Sequence, residues 1–109
     1  MRLTQQEINH LVKVLTILIG NQDAQLRLFG SRVDNQRKGG DIDLLLLTKD
    51  HTMKVQLQAK KHHILADMKE LIGDQKIDLK IATHNEIKED SFLQLIYPDS
   101  ICLFQWSCQ

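Results

Sequence analysis

Apolar residues recur at helical spacing in two long stretches of the chain. In the first, Thr4 and Glu7 frame the sequence T-Q-Q-E, a capping box that starts a helix, and Gly20 is placed to end it. In the second, Met53–Ile72, the apolar residues fit one stripe, which predicts a single helix that ends at Gly73. The stripe of the first helix consists of Ile8, Leu11, Val12, Leu15, Leu18 and Ile19.

The segments between and after these helices have patterns typical of strands. Gln25–Phe29 alternates between polar and apolar residues, and Lys76–Ala82 alternates strictly. Ile42–Thr48 is almost continuously apolar, as expected for a strand that is buried on both faces. Ser100–Phe104 is compatible with a last strand.

The connecting segments complete the order of elements. Ser31–Gly40 is polar, ends in a double glycine and is predicted as a loop, whereas Asn85–Ile96 is predicted as one short helix that ends before Pro98. The resulting order predicts an α/β (α+β) fold, in which a small mixed β-sheet of three to four strands is flanked by helices. At 109 residues, the chain is expected to form a single domain over residues 1–109.

Composition narrows the classes of function. The 14 Lys and Arg residues balance the 14 Asp and Glu residues, so the basic excess of a nonspecific nucleic-acid binder is missing and a nucleic-acid partner is not indicated. The first residues lack the features of a signal peptide, and no apolar run is long enough to span a membrane. The two cysteines, Cys102 and Cys108, do not suggest a disulfide framework. We therefore expect a cytoplasmic protein with reduced thiols.

Two aspartates, Asp41 and Asp43, stand at the start of the most apolar strand. Side chains two residues apart on a strand point to the same face, whereas Ile42 between them points into the core. Paired carboxylates repel each other and are costly to desolvate unless a positive charge joins them. A divalent metal is the obvious neutraliser, and hard oxygen ligands suit Mg²⁺ or Mn²⁺.

Asp78 is the only acidic residue in the predicted strand Lys76–Ala82 and lies on its polar face. If this strand pairs with Ile42–Thr48, Asp78 stands beside Asp43, because neighbouring strands are about 4.8 Å apart. Such carboxylates share two metal ions that clamp the attacking and leaving oxygens of an in-line displacement. Taken singly, the features have plainer interpretations: a D-x-D is often a solvated strand end or a helix cap, and Asp78 alone suggests an ion pair with a lysine on the same face.

Gly30 and Ser31 directly follow a predicted strand. A glycine lets the backbone approach a phosphate closely, and the hydroxyl and amide of Ser31 favour an anion. Arg37 and Lys38 are the nearest cations that could neutralise a triphosphate. The combination of a strand, G-S, a short loop, D-x-D on a buried strand and an isolated Asp on a later strand favours a metal-dependent nucleotide site.

At these residues the chain resembles the DNA polymerase β-like nucleotidyltransferase superfamily, and in particular its minimal nucleotidyltransferase branch. The hallmark of that family is G-S, a loop, D-x-D and a third Asp on a later strand, which is matched here by Gly30-Ser31, Asp41-Ile42-Asp43 and Asp78. The resemblance extends from the first helix through Ile77-Asp78-Leu79. The chain departs from many members in carrying Val33-Asp34-Asn35 in place of A-R-G and Gly40 in place of Ser before D-x-D.

The resemblance implies ligands for a metal and for phosphates. Two Mg²⁺ ions would be bound by Asp41, Asp43 and Asp78. The β- and γ-phosphates of ATP, or of another nucleoside triphosphate, would be held by Gly30 and Ser31.

The departures leave three candidates for the cation that contacts the triphosphate: Arg32, Arg37 and Lys38. We favour Lys38 because it is close in sequence to Asp41.

The resemblance also implies a reaction and a partner. A nucleoside monophosphate, AMP if the substrate is ATP, would be transferred to a hydroxyl acceptor with release of pyrophosphate. Minimal members are often encoded beside a helical HEPN-type protein, and in such toxin–antitoxin pairs the nucleotidyltransferase is the antitoxin and adenylylates its partner on tyrosine. One alternative is a non-catalytic antitoxin that neutralises a HEPN-type partner by complex formation. Another is an enzyme that acts on a small molecule such as an aminoglycoside.

Two further features complete the sequence-based predictions. His62 and His63 are adjacent on a predicted helix and point in different directions, so no zinc site is assigned. The run Ile101–Trp106 either forms an edge strand that pairs with another chain, giving a homodimer or hetero-oligomer, or is simply the last strand and its packing.

Overall fold

Four strands of the chain pair into one mixed sheet. The computed structural model describes residues 3–30, 42–73 and 76–107. The strands β1 (Ala24–Phe29), β2 (Ile42–Thr48), β3 (Ile77–Thr83) and β4 (Ile101–Trp106) lie in the order β3-β2-β1-β4. β1 is antiparallel to both β2 and β4, whereas β2 and β3 run parallel. The mixed α/β architecture predicted from the sequence is thereby confirmed.

The first helix, α1 (Gln5–Ile19), begins at the capping box that the sequence predicts. The hydroxyl of Thr4 accepts a hydrogen bond from the backbone N–H of Glu7 at 3.1 Å, and the Glu7 carboxylate accepts one from the N–H of Thr4 at 3.0 Å. Gly20 ends the helix at a φ of 64°. No helix among residues 3–30, 42–73 and 76–107 is long and apolar enough to cross a membrane.

The prediction of one helix over Met53–Ile72 is wrong, because the segment forms α2 (His51–Ala59) and α3 (Lys61–Ile72). The backbone leaves the helical path at Lys60, where φ is −104° and ψ is 8° and the N–H bonds to the carbonyl of Leu57 at 3.1 Å. Both helices bury their apolar residues in the same core, so the stripe continues through the break. Hydrophobic periodicity therefore could not reveal it.

The prediction of one helix over Asn85–Ile96 is also wrong. The segment forms a short 3-10 helix, Asn85–Lys88, followed by α4 (Ser91–Ile96). The carboxylate of Asp90 accepts hydrogen bonds from the second and third backbone amides of α4 at 2.8 and 3.1 Å. This N-cap starts a new helix and ends the preceding turn.

The sheet carries a different hydrophobic cluster on each face. On the core face, Ile42, Leu44 and Leu46 of β2 pack with α1, α2 and α3 in the larger cluster. The opposite face bears Asp43, and we call it the acidic face. Its smaller cluster is made of Leu45, Leu47, Ala82 and Leu93, with α4 as its cover.

The predicted last strand is confirmed as β4, and its side chains divide between packing and exposure. Trp106 is buried, and its indole N–H donates to the hydroxyl of Thr16 on α1 at 2.8 Å. Phe104 and Ile101 remain 41% and 37% exposed. Packing against α1 therefore accounts for Trp106, whereas Ile101 and Phe104 stay only partly covered.

Candidate active site

Two carboxylates meet on the acidic face where β2 and β3 run side by side. Asp43 and Asp78 are directly opposite each other in the parallel ladder. Paired positions on neighbouring strands point their side chains to the same face, at a strand spacing of about 4.8 Å. Asp43 is half-buried and Asp78 is exposed, so the pair lies at the boundary between the sheet and solvent.

Gly30 lies directly against one of these carboxylates. Phe29, the last residue of β1, pairs with Asp43, and Gly30 follows it at a φ of 75°. A Cβ atom built on Gly30 would lie 2.7 Å from Oδ2 of Asp43. Both the backbone angle and this close approach require glycine, so the backbone after β1 is held beside the Asp43 carboxylate.

The acidic pair opens into a cavity of about 550 Å³. The cavity extends from the acidic face around the outer side of β3 to α2 and α3. It is lined by Phe29, Asp43, Lys54, Gln58, Lys61, Leu65, Ile77, Asp78, Leu79, Lys80, Ile81 and Phe92. Two carboxylates, three ammonium groups and two aromatic rings thus surround one space that is large enough for a small ligand or a peptide side chain.

α4 supplies the aromatic wall of this cavity. Its Leu93 is buried in the small cluster, and the neighbouring Phe92 is left 45% exposed. The Phe92 ring meets the ring of Phe29 edge-on, with centroids 6.1 Å apart. The ammonium group of Lys80 lies 5.7 Å from the Phe92 centroid. These contacts hold an apolar surface and a cation close to Asp78.

The corner that leads from α4 to β4 is fixed to β1 by an arginine. The Arg27 guanidinium donates to the hydroxyl of Ser100 at 2.6 Å and to its carbonyl at 3.1 Å. Its Cζ also lies 4.5 Å from the centroid of the Tyr97 ring. α4 is therefore held at both ends, by the Asp90 cap and by this corner.

An ion pair made by one of the lining residues, Lys54, lies near the C-terminal end of β3. The ammonium of Lys54 on α2 donates to both carboxylate oxygens of Glu86 at 2.9 Å. Glu86 also accepts from the backbone N–H of Thr83 at 2.9 Å. The pKa of Glu86 is held below its usual range. The hydrogen bond from Lys54 is the largest cause, and the hydrogen bond from the Thr83 N–H is the next largest. Glu86 therefore stays ionised and ties α2 to the end of β3.

The donor set suits a hard cation. Asp43 and Asp78 offer carboxylate oxygens side by side, and oxygen ligands at this spacing fit Mg²⁺. Gly30 leaves room beside Oδ2 of Asp43 that any side chain would fill. Within residues 3–30, 42–73 and 76–107, no three His, Cys, Asp or Glu side chains converge on one point. The third predicted ligand, Asp41, lies outside the described residues.

Three of the residues singled out from the sequence come together: Gly30, Asp43 and Asp78. Ser31 and Lys38, predicted to contact the triphosphate, lie outside the described residues, so their roles stay predictions. Sequence reasoning missed Phe92 and the Lys54–Glu86 pair. The Asp90-Ser91 cap signal marks where α4 begins, but no local pattern shows that its first turn faces Asp78.

Comparison with known proteins gives a family and a fold. Residues 11–99, which run from α1 to the turn after α4 and include both Asp43 and Asp78, match the family described as nucleotidyltransferase domain. Among solved structures, the chain is similar to spectinomycin adenyltransferase from Enterococcus faecialis, determined with ATP and spectinomycin. The TM-score is 0.53 at 22% identity, over 78% of this chain and 36% of that chain. The chain thus spans about a third of that enzyme. No curated protein matches its sequence.

Proposed function

Because the chain belongs to the nucleotidyltransferase domain family, we propose that it transfers AMP from ATP to a hydroxyl group on a protein partner. We further propose that this partner is a HEPN-type helical protein and that the chain is the antitoxin of the pair. The observation that carries the reaction is the placement of Asp43 opposite Asp78, with Gly30 against Asp43. The family supports nucleotidyl transfer in general, and the open acidic face supports a large acceptor.

The residues of the acidic face have separate tasks in this reaction. Asp43 and Asp78, together with the predicted Asp41, would hold two Mg²⁺ ions, which supply positive charge for the triphosphate and the reacting oxygens. The acceptor oxygen attacks the α-phosphorus of ATP, and the bond to the bridging oxygen breaks to release pyrophosphate. The Asp78 carboxylate takes the proton of the acceptor hydroxyl. At Gly30 the backbone can approach the triphosphate next to Asp43, because no side chain stands between them.

The exposure of the site supports a protein as acceptor. Asp78 is exposed, and Phe92, which lines the same cavity, is 45% exposed. A hydroxyl side chain on another protein therefore reaches the Asp78 carboxylate without a change in the fold. Spectinomycin adenyltransferase is named for an antibiotic acceptor, and an assay for the present chain includes spectinomycin as a second acceptor.

The test measures transfer of label from α-labelled ATP in the presence of Mg²⁺, with a co-expressed HEPN-type partner as acceptor. We expect labelled partner with α-labelled ATP and none with γ-labelled ATP. Asp43→Asn and Asp78→Asn should lower the rate by about a thousandfold, because they remove charge at the reacting atoms. Asp67→Asn, an exposed carboxylate on α3, is the control and should retain the wild-type rate.

Two results would overturn the proposal. One is the lack of labelled partner with the wild-type chain, and the other is undiminished labelling with Asp43→Asn. If both variants still neutralise the toxicity of the partner in cells, the non-catalytic antitoxin is the correct function. Labelled spectinomycin without labelled partner would assign a small-molecule acceptor.

A further inference from the structure

The cavity beside the acidic pair follows the outer edge of β3. Its lining includes five consecutive residues of that strand, numbers 77–81. Successive side chains of a strand point to opposite faces, so a space that touches all five lies along the edge of the strand and not on one face. Among the described strands, β3 has a neighbour only on its β2 side.

The hydrogen bonds to β2 show which backbone groups point into this cleft. The N–H of Ile42 donates to the carbonyl of Lys76 at 2.8 Å, and the N–H of His84 donates to the carbonyl of Thr48 at 3.4 Å. In a parallel ladder, alternate residues of a strand bond to the same neighbour. The even-numbered residues of β3 therefore bond to β2, and the N–H and C=O groups of Ile77, Leu79 and Ile81 point outward.

At the C-terminal end of β3, the Glu86 side chain occupies this edge. The next outward-pointing amide, that of Thr83, donates to the Glu86 carboxylate at 2.9 Å. Glu86 is in turn fixed by Lys54. The free backbone groups are thus confined to the part of β3 that flanks Asp78.

From this geometry we infer that the outer edge of β3 binds an extended, acidic peptide segment as an additional strand. Backbone pairing with Ile77, Leu79 and Ile81 would supply affinity, as in other cases of strand addition. The ammonium groups of Lys61 and Lys80 line the cleft, whereas Lys54 is already paired with Glu86. Lys61 begins α3 on the core-face side of the cleft, away from Asp43 and Asp78, so it favours acidic residues whose side chains point to that side.

The same strand would present the acceptor hydroxyl, and in this respect the inference rests on the proposed function. A residue on the added strand beside Asp78 would lie about 4.8 Å from it, with its side chain on the acidic face. Phe92, half-exposed above the cleft, would pack against an aromatic acceptor such as tyrosine. Backbone pairing would thereby set which hydroxyl in the segment reaches Asp78.

The experiment uses, without ATP, the intact chain and a synthetic blocked peptide, Val-Asp-Val-Asp-Tyr-Asp-Val-Asp-Val, so that the Asp side chains of the peptide point to the face opposite the Tyr. Amide hydrogen exchange is followed by NMR. We expect the amides of Ile77, Leu79 and Ile81 to gain protection of about tenfold or more, because they acquire partners. The amides of Asp78 and Lys80, which already bond to β2, should change little. Of two peptides N-methylated at alternate residues, one should lose binding and the other should keep it.

A charge variant supplies an independent measurement. Lys61→Glu should weaken peptide binding by about fivefold to tenfold, because it reverses a charge in the cleft. A glutamate at the first residue of α3 suits the helix N-terminus, so the fold should persist. Lys13→Glu, on an exposed position of α1 outside the cleft, is the matched control and should bind as the wild type does.

The outcomes separate this inference from the proposed function. Mg²⁺ and α-labelled ATP are then added to the same mixture. Alternate-residue protection without transfer of AMP to the peptide supports the edge site and counts against the proposed acceptor. Transfer of AMP to the peptide with uniform or no change at these three amides would overturn the edge site and leave the proposed function standing. Failure of the peptide to bind, or equal loss of binding with Lys61→Glu and Lys13→Glu, would also overturn it.

Discussion

The two faces of β2 use alternate residues of one strand for different purposes. Ile42, Leu44 and Leu46 are fully buried beneath three helices on the core face. On the acidic face, the short helix α4 covers Leu45 and leaves Asp43 at the edge of an open cavity. The two-residue period of a strand thus separates the positions that build the core from the position that, on the proposed function, holds a reacting group. Changes on one face should therefore act mainly on folding, and changes on the other mainly on activity.

Two neighbouring leucines provide the strongest test of this separation. Leu46→Ala, on the core face, should lower the free energy of unfolding by about 4 kcal/mol, whereas Leu45→Ala should cost about 2 to 3 kcal/mol. The difference arises because the smaller cluster has fewer atoms around the cavity that each truncation creates, and α4 can settle into it. Denaturant unfolding gives both values.

The catalytic rates of the two leucine variants should differ in the opposite order. Leu45→Ala shifts the helix that carries Phe92, so it should lower nucleotidyl transfer more than Leu46→Ala does, when both are measured well below their unfolding temperatures. Equal losses of stability together with equal rates would mean that the two faces do not act separately.

Gly30 and Gly20 form a second matched pair. Gly30→Ala should reduce nucleotidyl transfer by about a hundredfold, close to 2.7 kcal/mol, because the new Cβ would push the Asp43 carboxylate away. Gly20 has a similar positive φ of 64° but nothing within 4 Å of a built Cβ. Gly20→Ala should therefore cost about 2 kcal/mol of stability, because a φ of 64° with a ψ of −127° strains any residue with a Cβ, and it should leave the rate unchanged. A full rate in Gly30→Ala would show that the close approach has no role in the reaction.

The smallest expected effect concerns Glu86 and its dependence on pH. Because the pKa of Glu86 is lowered in the folded state, the ion pair with Lys54 stabilises the fold above the unfolded pKa of glutamate, about 4.3. This contribution is lost as the pH falls through the lowered pKa. Glu86→Gln should cost about 1 kcal/mol or less at pH 7, since the side chain is 33% exposed.

Thermal unfolding across a pH series provides the measurement. The gap in Tm between the wild type and Glu86→Gln should be constant from neutral pH down to about 5 and should close in more acidic solution. Glu89→Gln, an exposed neighbour, should track the wild type throughout. A gap that widened on acidification would show that the pKa of Glu86 is raised rather than lowered.

Local patterns were sufficient for the elements that create the acidic pair. The strict alternation of β3 and the apolar run of β2 predicted both strands, and pairing them places Asp78 opposite Asp43. Lys60 shows why other features could not be predicted. It is an ordinary helix-forming residue within an unbroken apolar stripe, so nothing in the local sequence indicates the change of backbone angle found there.

The site itself was predictable only in part. The paired carboxylates and the glycine could be recognised from the sequence. Charge repulsion makes neighbouring carboxylates unusual without a cation, and a positive φ favours glycine. Phe92 carries no such signal, since its place in the wall of the cavity depends on how α4 is fixed by Arg27 and Asp90. Asp41, Ser31 and Lys38 stay predictions, as do the two Mg²⁺ ions and the HEPN-type partner.

The pairing of β1 with β4 has a consequence for how the chain folds. Gln25 and Gln105 bond across this ladder although they are 80 positions apart. Contacts between such distant positions form late, because a long loop must close first. During synthesis on the ribosome, β1 can pair with β2 long before β4 has emerged, so one side of the nascent sheet stays uncovered until β4 is available. The Trp106–Thr16 hydrogen bond then joins α1 to a strand that is made 90 positions later, so it can form only after β4 has left the ribosome.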